Sequence, residues 1–269
     1  MDPAFDVKLV VTQPDKPVGR GKKVSSPPVK VTANTMNIPI LQPANVNEEL
    51  PAYLAAHPQM KPDFLIVVAY GEILSQAVLD LPNTAAVNVH GSILPRWRGA
   101  SPIEHAILAG DTETGVTVQM MVAQLDAGAV LATASFPVGA RDTARYVRQQ
   151  LSQMGPILLT ETLNQPLYPV PQPSKGVTFC RKLSKEDGLV DRAKMTADDI
   201  DRHVRALNPW PGVTCEVQGH TLKLIETSLD QVTHSMPVSC ANETTLHLVR
   251  VQPAGKKEMN ADEWRRGLR

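Results

Sequence analysis

The chain has 269 residues, 42% of them hydrophobic and 20% charged, which suits one large globular domain or two modest ones with a sizeable core. Lys+Arg 27 balances Asp+Glu 27, so contact with nucleic acid must come from a local patch rather than from the overall field. Three well-separated cysteines, Cys180, Cys215 and Cys240, fit neither a disulfide framework nor a zinc site. Together with the lack of a membrane-length apolar run and of a signal-peptide pattern at Met1–Asp6, they make a cytoplasmic location the expectation.

Val7–Thr12 reads as a short buried strand. Gln13–Pro28 reads as a loop, with four prolines, Gly19 and Gly21. A helix over Val29–Met36, a brief strand at Ile38–Ile40 and a helix over Asn47–Ala56 come next. Asp63–Tyr70 is an apolar run expected to form a parallel strand covered on both faces. Gly71–Leu79 reads as the start of a short helix, followed by a strand at Ala85–His90, and a helix over Pro102–Ala109 stops at Gly110. Thr114–Val122 and Val130–Phe136 are further strands, and Thr143–Leu163 is a long helix. The alternation predicts an α/β fold, a Rossmann-like, mostly parallel sheet with helices on both faces. Asn164–Lys175, with four prolines, reads as a linker. It divides a domain over residues 1–163 from one over 176–269. In the latter, Thr196–Leu207 is a helix with Thr196 and Asp199 as a capping box. Gly212–Glu226 and Thr244–Gln252 read as antiparallel strands of a small barrel.

The densest chemistry lies in Asn88 through Gly99. Strand alternation puts Asn88 and His90 on one face at a carboxyl end, where ligands of open α/β sheets bind. The residues alone leave a plainer alternative, a hydrogen-bonded histidine and a turn-forming asparagine at a strand end. Asp126, in Gln124–Gly128 after the next strand, is either a carboxylate that orients a neighbouring histidine or part of an Asp-x-Gly turn. Lys16, Arg20, Lys22, Lys23 and Lys30 are five basic residues with no acid between positions 16 and 30. They suit either a phosphate backbone or plain solvent exposure. The Arg20–Lys23 stretch lacks P-loop spacing. The other histidines show no metal-ligand intervals, so no metal is expected.

Several stretches together resemble the folate-dependent formyltransferases, and among them the methionyl-tRNA formyltransferases, over nearly the whole chain. They are Thr12 through Lys23, Val67–Gly71, Asn88–Gly99, Gly110–Thr117, Lys182–Glu186, Asn208–Pro211 and Gln252–Lys257. The resemblance implies formyl transfer from 10-formyltetrahydrofolate to the α-amino group of methionyl-initiator tRNA, in translation initiation. It implies Asn88, His90 and Asp126 as the catalytic trio. Ser92, Ile93, Leu94 and Pro95, with Tyr70, are implied to line the folate site. Lys16, Arg20, Lys22 and Lys23 are implied to engage the tRNA acceptor end. The carboxyl-terminal domain is implied to be an OB-like barrel holding the tRNA stem. A monomer with no membrane or DNA partner is expected.

The chain departs from that pattern in three places. The family's opening strand, with its Gly-Thr-Pro motif, and the helix after it have no counterpart, so an incomplete amino terminus is expected. The barrel domain is contracted around Ser228–Thr244 and lacks the extension after Arg266. Ala127 follows Asp126 where the family usually has threonine. Two alternatives therefore stand beside the main reading. One is a formyltransferase acting on a small amine, the other a non-catalytic remnant that binds folate or RNA.

Overall fold

The computed structural model describes residues 4–18 and 23–268. In chain order the first strands and helices are β1 (Val10–Val11), β2 (Lys16–Val18), β3 (Lys23–Ser25), α1 (Pro28–Thr35), β4 (Ile40–Leu41), α2 (Val46–Ala56), β5 (Phe64–Val67), α3 (Gln76–Leu79) and β6 (Ala85–His90). Next come β7 (Arg98–Gly99), α4 (Pro102–Leu108), β8 (Glu113–Met120), β9 (Val130–Pro137) and α5 (Ala144–Leu163). The remainder holds β10 (Phe179–Cys180), α6 (Ala197–Leu207), β11 (Val213–Val217), β12 (His220–Ser228), β13 (Met236–Ser239), β14 (Thr245–Pro253), β15 (Met259–Asn260) and α7 (Ala261–Arg266). Local chemistry sets several of these boundaries. Pro28 opens α1, where its missing N–H costs nothing. The Asn45 side chain accepts from Asn47 N at 3.1 Å to start α2. Thr196 and Asp199 cap α6 reciprocally, as their spacing predicts.

Two compact units result, one from Met1–His90, Val116–Ala134 and Gly155–Lys175, the other from Gly91–Gly115, Ser135–Met154 and Gly176–Arg269. In the first, β1 and β4 pair in parallel, and a second sheet runs β5-β6-β8-β9. There β5 and β6 are parallel, while β6 and β8 are antiparallel. Residues Val46, Leu50 and Leu54 recur on one face of α2 and pack with Leu74, Val78, Leu79 and Ala86. On β6, Ala86 joins this cluster, whereas Ala85 and Val87 join a different one with Val118, Leu158 and Leu159. The side-chain alternation of a strand explains the division. It also gives Asn88 and His90 the same parity as Ala86.

The second unit holds an antiparallel sheet, β11-β12-β14-β13, with β15 also on β14. Val213, Leu222, Leu224, Leu246, Leu248 and Val251 are buried, as are Ile200, Val204 and Leu207 of α6. Asp201 on α6 is 1% exposed. It accepts from Arg205 Nε at 2.8 Å, Arg141 Nη1 at 3.0 Å and Thr227 Oγ1 at 2.8 Å. All three cysteines are buried.

Three expectations need correction. The Gln13–Pro28 stretch is not wholly loop. Lys16–Val18 and Lys23–Ser25 pair as an antiparallel hairpin, which accepts Pro17 because neither strand lies in a sheet interior. Asp63–Tyr70 contains only the short β5, with Ile66 36% and Val68 60% exposed rather than covered on both faces. Among the described residues β5 pairs only with β6, so it lies at a sheet edge. Of Gly71–Leu79, only Gln76–Leu79 is helical. Among the described residues no helix is long and apolar enough to cross a membrane.

Candidate active site

The site is built on β6 and the turn that follows β8. Asn88 opposes Gln119 across the β6–β8 pair, and His90 opposes Thr117, so one face carries four polar side chains at alternate positions. After β8 the chain turns sharply, with Met121 N donating to Ala86 O at 2.9 Å and Met120 N to Ala129 O at 2.8 Å. Gly128 makes that turn possible, because a Cβ there would lie 1.7 Å from the Met120 carbonyl oxygen. Asp126, two residues earlier, adopts a positive φ of 47°.

Asp126 Oδ1 is the point of convergence. Gln119 Nε2 donates to it at 3.0 Å and Asn88 Nδ2 at 3.3 Å, and His90 Nδ1 lies 3.6 Å away. The His90 and Asp126 side chains are only 7% and 12% exposed. A carboxylate facing Nδ1 selects the ring form that carries its proton there. It leaves Nε2 as the base of neutral imidazole or as a second donor of imidazolium. An amide donor, an imidazole and a shielded carboxylate on one oxygen can stabilise developing oxyanion charge and transfer a proton.

The other predicted residues have varied surroundings. The Ser92 hydroxyl is fully buried and donates to Arg96 O at 2.6 Å; Leu94 is buried, and Ile93 and Pro95 are half-buried. Arg96 and the Trp97 indole both bond Asp111, tying that loop to itself. The buried Tyr70 hydroxyl has no hydrogen-bond partner among the described residues. Burial, then the charges of Glu72 and Glu49, push its pKa up. Lys16 Nζ donates to Gln13 Oε1 at 3.1 Å. Arg20 and Lys22 lie outside the described residues, and Lys23 contributes its backbone to β3.

Lys30 is paired with an acid. Its Nζ donates to both Asp15 oxygens, at 3.0 and 2.9 Å, and to Gln42 Oε1 at 2.6 Å. The acid that matches it stands one position before the basic run. Gln42 and Lys30, in that order, hold the Asp15 carboxyl below the usual carboxylate range.

Sequence reasoning missed Gln119 and Gln172. Gln119 is 2% exposed, and its signal was available as a lone amide inside the apolar run Thr114–Val122. Gln172 gives no such signal, since it sits among prolines in the predicted linker. Its Nε2 nonetheless donates to Asp126 O and Gly128 O, each at 2.8 Å.

"Methionyl-tRNA formyltransferase" of Paramagnetospirillum magneticum is 41% identical, covering 99% of this chain and 90% of the relative. The protein so named from Magnetococcus marinus is 42% identical, over 99% and 89%. Among solved structures, an N-formyltransferase from Helicobacter canadensis in complex with folinic acid and dTDP-3-aminofucose shares the fold at TM-score 0.65 and 14% identity, covering 90% of this chain and 99% of that one. HypX from Aquifex aeolicus in complex with tetrahydrofolic acid matches at TM-score 0.61 and 18% identity over 87% of this chain, which spans only 43% of HypX. The Formyl transferase family pattern covers residues 2–163 and the Formyl transferase, C-terminal domain pattern residues 182–269. The chain belongs to the formyl transferase family.

Proposed function

We propose that the chain transfers a formyl group from 10-formyltetrahydrofolate to the α-amino group of methionyl-initiator tRNA. The observation that carries the chemistry is the meeting of Asn88, His90 and Asp126 on one carboxylate oxygen. The acceptor follows from relatives of that name, 41% and 42% identical over 99% of the chain.

The donor set suits a formyl carbonyl. Asn88 Nδ2 carries two hydrogens, and its contact with Asp126 engages one of them. When bound, the folate co-substrate supplies an electrophilic formyl carbon. Asn88 directs its second hydrogen at the formyl oxygen as negative charge gathers there. His90, whose Nδ1 faces Asp126 at 3.6 Å, either donates from Nε2 to the same oxygen or takes the proton leaving the attacking amine. Asp126 keeps the ring oriented and offsets its positive charge.

Tyr70, Ser92, Ile93, Leu94 and Pro95 are assigned to the folate site by family resemblance. For Ser92 and Leu94 their burial supports a role in shaping the backbone. Lys16, Arg20, Lys22 and Lys23 are assigned to the tRNA acceptor end by the same resemblance; Lys16 stands on β2 and Lys23 on β3. Residues 1–163 form the Rossmann-like catalytic domain and 176–269 an OB-like tRNA-binding domain, joined by 164–175. The two family matches, at 2–163 and 182–269, support that division. The enzyme works in the cytoplasm as a monomer.

The test is transfer of labelled formyl to three acceptors, namely charged initiator tRNA, charged elongator tRNA and a nucleotide-linked amino sugar. Transfer to initiator methionyl-tRNA is expected. Transfer to the sugar alone would move the chain to the small-amine branch, and folate binding with no transfer would make it a remnant.

A further inference from the structure

We propose that Gln172 is a positioning residue for Asp126, clamping the turn that carries the carboxylate; the inference rests on the catalytic reading given above. Gln172 lies in Asn164–Lys175, which composition alone presents as a linker. That segment docks on the start of β9. Val130 N donates to Val170 O and Val170 N to Val130 O, each at 2.8 Å. This two-way bridge sets the register of Gln172, two residues on, against the turn that ends at Val130.

The bonds of Gln172 fall where the turn needs them. Asp126 at φ 47° is a non-glycine residue in a conformation that persists only when its surroundings enforce it. Gln172 Nε2 donates to Asp126 O and Gly128 O, bracketing that residue, with one of its two hydrogens shared with Gln119 Oε1. The same nitrogen lies 3.3 Å from Gln119 Oε1. Gln119 is 2% exposed, so its amide cannot turn to water for a substitute partner. With Oε1 facing the Gln172 amide, Nε2 faces Asp126 Oδ1 at 3.0 Å. A reversed Gln119 amide would set its oxygen against the carboxylate. Gln172 therefore acts on Asp126 twice, through the backbone and through Gln119, and Asp126 passes that placement to His90 at 3.6 Å.

The test compares Gln172→Met, which keeps the volume and removes the donor, with Gln172→Glu, which sets a carboxylate against the two carbonyl oxygens. Each is also combined with Asp126→Ala, in the full chain. Melting temperature, folate binding, kcat and both KM values are read. The proposal expects Gln172→Met to lower kcat about tenfold, as loss of an orienting partner typically does, with both KM values within about twofold, and Gln172→Glu to lower it at least as far. In the Asp126→Ala background Gln172→Met should cost less than about twofold more, because the two act as one unit. Wild-type kcat in Gln172→Met, or the same loss in both backgrounds, would overturn the positioning role. Should Gln172→Met melt below the assay temperature, Gln172→Glu carries the test, and wild-type kcat there overturns the proposal. If Asp126→Ala itself turns over like wild type, the catalytic reading falls and the positioning role with it. If Asp126→Ala is crippled and Gln172→Met is not, the positioning role alone falls.

Discussion

Asp126 holds a carboxylate on a backbone conformation that side-chain-bearing residues rarely adopt, and Gly128 holds the turn in place from below. The contact that a methyl group would make at Gly128, 1.7 Å from Met120 O, has no flexible side chain to give way. Either β8 or the turn must move. Gly128→Ala is therefore expected to lose most turnover, because Asp126 is displaced from Asn88 and His90. Comparing turnover with folate binding in Gly128→Ala checks this, and near-normal turnover would show that the turn is looser than its geometry implies. At this scale the sequence was legible where chemistry-bearing residues stand on strands. Alternation put Asn88 and His90 on one face, and the position of Asp126 after the next strand made it a candidate that the family resemblance favoured over a plain Asp-x-Gly turn. Gln172 was not legible, because its partners are backbone carbonyls brought near by folding, and nothing in a proline-rich stretch announces a side chain that serves them.

The elements owe their ends to short polar devices. After β10, the Ser184–Asp187 turn closes through a reciprocal cap, with Ser184 N donating to Asp187 Oδ2 at 2.7 Å. Arg181 bonds both oxygens of the same carboxylate. Arg181, opposed in part by burial and aided by the Ser184 backbone N–H, holds the Asp187 carboxyl far below the usual carboxylate range. A depressed folded-state pKa contributes stability that is present above the unfolded value, about 3.9, and is lost as pH falls toward the folded value. Asp187→Asn should consequently unfold more readily than wild type at pH 7. The deficit should narrow as pH drops below about 4, measured by denaturant unfolding at pH 7 and pH 3. A deficit that stays constant over that range would mean the charge of Asp187 does not matter. Long, strongly patterned elements such as α5 and α6 were legible from periodicity and caps. The β2–β3 hairpin was not, because two three-residue strands around prolines carry too little pattern to separate them from a loop. The edge position of β5 was hidden too, since an apolar run does not reveal how many neighbours it will have.

Across the whole molecule, a balanced charge sits with a polyanionic substrate only if the basic side chains act locally. Lys30 is occupied by Asp15, and the proposal gives the tRNA contact to Lys16, Arg20, Lys22 and Lys23. Added salt should accordingly raise the KM for tRNA steeply and the KM for folate much less, since only phosphate contacts release counterions. Equal salt dependence in both would remove the loop from tRNA recognition. The change of texture after Leu163 suggested a boundary there, whereas the two compact units interleave, with Gly91–Gly115 and Ser135–Met154 in the second and Gly155–Lys175 in the first. The place of Val170 and Gln172 inside the first unit was not legible, because that segment lacks the hydrophobic period that signals a packed element. The central claim is that Asn88, His90 and Asp126 perform the transfer. Its most direct test is the single-turnover rate of formyl transfer to charged initiator tRNA by wild type and His90→Ala, with folate binding measured on the same samples. The rate is expected to fall roughly 100- to 1000-fold, the typical loss on removing one oxyanion donor, with folate still bound. A folded, folate-binding His90→Ala protein that keeps half the wild-type rate would contradict the claim.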